Sequence, residues 1–126
     1  SFRFRAWRAY AERWRCAGDL AADRRRLGFR DPVLRQFAMT LALPEFSRQL
    51  QPMLPGWQVR QPADGCWLLH RAGRSVDIRC RPLPALQLGI LQLPRLDVSI
   101  AFAGGSAEEQ AAFIADFQRH FRRGGG

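Results

Sequence analysis

A chain of 126 residues and 14.4 kDa is one ordinary domain, long enough to bury about two thirds of its unfolded surface without a metal or disulfide staple. Its 47% hydrophobic and 25% charged residues exclude a disordered tail, and no apolar run approaches the ~18 residues of a membrane span. The net charge of +9 comes from 20 arginines with no lysine, and asparagine is also absent, the residue usage of a GC-rich bacterial genome. What survives that discount is a basic protein whose positive field attracts phosphates and other anions.

The first half has a helical period. Phe4, Trp7, Ala11 and Trp14 form one stripe, although Phe2 and Phe4 alternating with Arg3 and Arg5 also fit a short opening strand. Gly18 breaks the pattern. Asp19 caps a second short helix carrying Leu20 and Leu27, and Gly28 stops it. Asp31-Pro32 is a helix start, a carboxylate cap followed by proline where no N–H is needed. Val33, Leu34, Phe37, Ala38 and Leu41 follow at helical spacing, and Pro44 ends or kinks that helix. Phe46 and Leu50 predict another turn or two before Pro52 and Pro55.

After Pro55-Gly56 the period falls from 3.6 to 2. Trp57 and Val59; Trp67 and Leu69; Val76, Ile78 and Cys80; Leu86, Leu88 and Ile90; and Leu96, Val98, Ile100 and Phe102 each alternate with their neighbours. Short turns and no βαβ spacing imply an antiparallel meander of four to five strands. Pro82, Pro84 and Pro94 are expected between strands. Ser106 and Glu109 form a capping box that opens a last helix with the stripe Phe113, Ile114, Phe117 and Phe121.

The expected fold is α+β: N-terminal helices, the meander, then one C-terminal helix packed on the apolar sheet face. Residues 1–126 form a single domain, helical over 1–55, sheet over 56–103 and helix over 106–123. Phe113, Phe117 and Phe121 are expected to meet Trp67, Val76, Ile78, Val98 and Ile100. The aromatic first helix, with Trp7, Tyr10 and Trp14, is expected to pack across the sheet rather than dock on a membrane or a partner helix.

A hairpin with Ala72-Gly73 at its tip pairs Arg71 with Arg74, His70 with Ser75, Leu69 with Val76, Trp67 with Ile78 and Cys66 with Arg79. Cys66 and Cys80 then point to opposite faces, so they share neither a disulfide nor a metal ion. With Cys16 they are three incidental thiols, and no cofactor or metal is expected. His70, Ser75 and Asp77 share one face, but no G-x-S-x-G elbow accompanies them, and a surface His–Asp pair is the simpler account. Asp77 and Asp97 have Arg79 and Arg81 alongside, so ion pairing explains them better than carboxylate catalysis. Walker A, G-x-G-x-x-G and H-E-x-x-H motifs are absent from the sequence.

The polar sheet face is expected to carry Gln58, Arg60, Arg79, Arg81 and Gln87 together with Leu68 and Leu91. Arg and Leu on a flat sheet suit a protein–protein surface. Trp57 and Trp67 fall on the core face, which counts against base stacking on RNA. The leading expectation is a non-enzymatic binding or assembly domain acting through this face, with Arg60, Arg79, Arg81, His70 and Asp77 as partner- or anion-contacting residues, and with a second copy or another protein as partner. The second is a nucleic-acid or polyanion binder; the third is an enzyme or carrier holding a small anionic ligand on Arg60, Arg79 or Arg81. The stretch from Ser1 to Arg15 lacks the apolar core of a secretory signal, so the cytoplasm is expected. Opening on Ser1 rather than Met, the chain is expected to have had residues before it.

Overall fold

The computed structural model describes residues 33–121. The elements run β1 (Val33–Met39), α1 (Leu43–Leu50), a 3-10 turn (Gln51–Met53), β2 (Gln58–Ala63), β3 (Cys66–Arg71), β4 (Arg74–Leu88), β5 (Leu91–Ala103) and α2 (Ala107–Phe121). One antiparallel sheet has the order β1-β5-β4-β3-β2. Strands β2 to β5 are the expected meander. The fifth strand is β1, which pairs with β5 from Val33 opposite Phe102 to Met39 opposite Leu96.

That strand corrects the helix expected over 33–41. The sequence V-L-R-Q-F-A-M satisfies both periods, because Val33, Phe37 and Ala38 suit a helix while the odd positions suit a strand. Seven register pairs along β5 decide it, since they satisfy backbone groups that would otherwise face an open edge. Pro44 is corrected in the same way. It sits in the first turn of α1, where its missing N–H costs nothing, and so starts a helix rather than ending one. The expected first helix, the Asp19 and Asp31 caps and Cys16 lie outside the described residues.

Strand parity then sorts the core. Trp67, Leu69, Val76, Ile78, Leu96, Val98, Ile100 and Phe102 turn to one side of the sheet, where Phe46 and Leu50 of α1 and Phe113, Ile114, Phe117 and Phe121 of α2 pack on them. The expected α2 stripe is therefore the one that is buried. Its ring contacts run to Phe37, Phe46, Trp57 and Phe102. Phe46 also meets Trp67 at 5.4 Å between centroids and so ties α1 to the sheet. The capping box forms as expected: Glu109 N–H donates to Ser106 Oγ at 3.1 Å and Ser106 N–H to Glu109 Oε1 at 2.9 Å.

The hairpin between β3 and β4 has the expected register throughout. Further along, the structure departs from the alternation. The separate strand expected around Leu86 to Ile90 is the distal end of the 15-residue β4, and Pro82, Pro84 and Pro94 lie within strands. Between Leu83 and Leu86 the register with β5 shifts: Leu83 faces Arg95, whereas Leu86 faces Leu93. Three steps on β4 match two on β5, so β4 carries one extra residue, a bulge at Pro84-Ala85. Prolines are tolerated here because β3 stops pairing at Arg79 and β1 stops pairing at Leu96.

Candidate functional site

The second face of the sheet follows from the same registers. Across the strands one row reads Leu34, Ala101, Asp77, Leu68 and Arg60; the next reads Gln36, Ser99, Arg79 and Cys66; the third reads Ala38, Asp97 and Arg81. The composition was legible, but the expected solvation was not. Cys66, Leu68, His70, Asp77, Arg79, Ser99 and Ala101 are all buried, with Asp77 at 1% exposure. The surface His–Asp pair and the open polar face at the sheet centre are thus corrected: this face is a second interior layer. Leu68, Ser99 and Ala101 were the available signal, being small or apolar residues on the supposedly wet side.

Within that layer the Arg79 Nε donates to Asp77 Oδ1 at 3.2 Å. Burial pulls the Arg79 guanidinium down to about 9, which leaves it charged at neutral pH beside the carboxylate. His70 Nδ1 lies 3.0 Å from Ser75 Oγ, and burial lowers its affinity for a proton. Arg81 donates to Asp97 at 3.2 Å across the β4–β5 pair, at the exposed end of the face. Arg60 is exposed on edge strand β2, beside a groove lined by Val59, Arg60, Gln61 and Pro62. Four consecutive residues of one strand make a flank, not a cleft. Of the five residues expected to contact a partner, His70, Asp77 and Arg79 are thus interior, while Arg60 and Arg81 are exposed.

Among the described residues no three His, Cys, Asp or Glu side chains converge. Cys66 and Cys80 are free thiols on opposite faces, as their register requires. Burial, then the negative charge of Asp97, pushes the Cys80 thiol far up, so it stays protonated and a poor nucleophile. No helix among the described residues is long and apolar enough to cross a membrane.

The surface that the alternation missed lies beyond the bulge. From Leu83 to Arg95 the β4–β5 hairpin projects past its neighbours as a two-stranded arm. Leu86 faces Leu93 and Leu88 faces Leu91, so four leucines share one side of the ribbon; Gln87 and Gln92 share the other. By alternation along β5, Leu91 and Leu93 fall on the side of Arg95 and Asp97. The bulge thereby turns Leu86 and Leu88 toward the second face and Gln87 away from it, the reverse of the expected placement, while Leu91 lies on that face as expected. Leu86, Leu88 and Leu91 are 38%, 54% and 58% exposed, and Ile90 at the turn is fully exposed. The turn is Gly89-Ile90, with Gly89 at φ +64°, where a side chain would be strained. One signal was visible in sequence: L-Q-L-G-I-L-Q-L mirrors itself about a two-residue turn.

Compared with protein-family models, with curated proteins and with solved structures, the chain matches none.

Proposed function

We propose that this chain is a non-catalytic binding and assembly domain whose docking element is the β4–β5 arm. The observation that carries the reading is the leucine side of that arm. Exposed leucines scattered singly need no explanation, but four on one side of a projecting ribbon, capped by a fully exposed Ile90, form a contiguous apolar patch. An isolated two-stranded ribbon in water is marginal, so contact with another protein would also stabilise it. Arg81, Asp97 and Arg95 stand at its base and supply the polar rim such a contact needs.

The charge supports this reading over a polyanion-binding sheet. Residues 33–121 hold nine arginines and seven acids, so they carry only +2 of the chain's +9. At least five of those arginines are paired with carboxylates: Arg48, Arg74, Arg79, Arg81 and Arg119. Polyanion binding would therefore draw on the two ends of the sequence and not on the sheet.

The test is site-specific photo-crosslinking in cells that make the protein, with the crosslinker at position 90 and, as control, at exposed Glu108. Discrete protein adducts at 90 alone are expected. No adduct at 90, or the same diffuse adducts at both positions, would remove the arm as a docking element.

A further inference from the structure

Resting on that reading, we infer that the occupant of the leucine side is a second copy of this chain, the two arms stacking face to face about a two-fold axis. Residues 82–94 contain no ionisable side chain. Two copies that meet through the arm therefore bury no charge and oppose no like charges across the leucine face. Leucine against leucine is also self-complementary, which a two-fold contact requires because each copy offers the same surface.

The prolines select the mode. Pro82, Pro84 and Pro94 remove backbone donors along the flanks of the arm, so adding a strand edge to edge is blocked near its base. The leucine face has no such obstacle. With the axis passing between the Leu86–Leu93 and Leu88–Leu91 rungs, the tip of each arm covers the inner rung of the other. Arg81, Asp97 and Arg95 of each copy then remain at the rim in water. Two ribbons stacked in this way form a small two-layer unit that a single ribbon cannot.

Size sets the strength. About 20 Å of ribbon by about 10 Å of width, from the rise per residue and the strand spacing, is small beside the roughly 800 Å² per partner of a standard interface. An interface this small makes the dimer reversible rather than permanent.

Sedimentation of the purified full chain, from about 1 to 100 µM, tests this. The wild type is expected to show a reversible monomer–dimer equilibrium. The variant Leu88→Asp/Leu91→Asp, which would bury four uncompensated carboxylates in the dimer, is expected to associate at least about tenfold more weakly. The control Leu34→Asp, at the exposed edge strand β1, should leave association unchanged. Hydrogen exchange of the wild type alone gives a second readout: amides over 85–93 should gain protection as concentration rises. A wild type that stays monomeric, a dimer indifferent to the arm variant, or exchange over 85–93 indifferent to concentration overturns the inference. A monomeric chain that still gives adducts to a different protein at position 90 sinks the second copy while sparing the docking reading. Absence of both dimer and adducts removes both.

Discussion

Asp77 and Arg79, two residues apart on one strand, hydrogen-bond at 3.2 Å inside the protein, on the sheet face opposite the hydrophobic core. Each is less than a tenth exposed, so their charges balance each other in a poorly hydrated layer. Asp77→Ala deprives the buried guanidinium of that carboxylate and should destabilise the chain by about 3–5 kcal/mol. Replacing both with apolar residues, as Asp77→Leu/Arg79→Met, should recover most of the loss, because the neighbouring Leu68 and Ala101 are already apolar. Urea melts of the three proteins measure it.

His70 makes stability depend on pH. Burial lowers its folded pKa below the ordinary 6.5, so in the window just beneath that value the unfolded chain binds more protons than the folded one. His70 should therefore lower stability as pH falls through 6.5 toward its depressed pKa, with no further change from this group below that point. Comparing melts of the wild type and His70→Gln from about pH 7.5 to about pH 5, across the histidine titration range, should show a shallower slope in the variant.

Phe117 is fully buried, and its ring lies 4.6 Å from Phe121, 5.4 Å from Phe37 and 6.1 Å from Phe46. It joins α2 to both β1 and α1. Phe117→Ala should cost about 3–5 kcal/mol, and a loss below about 1 kcal/mol in a urea melt would contradict this packing.

Ala72 occupies the first central position of the β3–β4 turn at φ +50°, with Gly73 following at φ +77°. Two positive φ values in a two-residue loop favour Asn-Gly over Ala-Gly. Ala72→Asn should raise stability by about 0.5–1 kcal/mol, measured by thermal or denaturant unfolding.

The parts of the fold that were legible in sequence are those where one signal agreed with itself over a long stretch. Both arms of the 66–81 hairpin alternate in phase around a short turn, so every pair of its register was predictable. The α2 stripe and its S-x-x-E cap were equally plain. Strand β1 was not, because Val33, Leu34, Phe37 and Ala38 suit two periods and only pairing with β5 chooses between them. The bulge at Pro84-Ala85 was hidden for a different reason: one inserted residue inverts the parity of everything beyond it, and alternation alone carries no mark of the inversion. For the candidate site, Arg60 and Arg81 were placed on an exposed surface as expected. His70, Asp77 and Arg79 were not, since side-chain alternation says which face a residue joins and is silent on whether that face is covered.

The central claim is that the leucines of the arm serve contact with another protein rather than the stability of this one. Denaturant unfolding of Leu88→Ser/Leu91→Ser, beside the wild type at a concentration low enough to keep both monomeric, tests it most directly. Since both side chains are more than half exposed, the account predicts a difference within about 0.5 kcal/mol. A loss above about 2 kcal/mol would show that these leucines hold the fold together and would contradict the account.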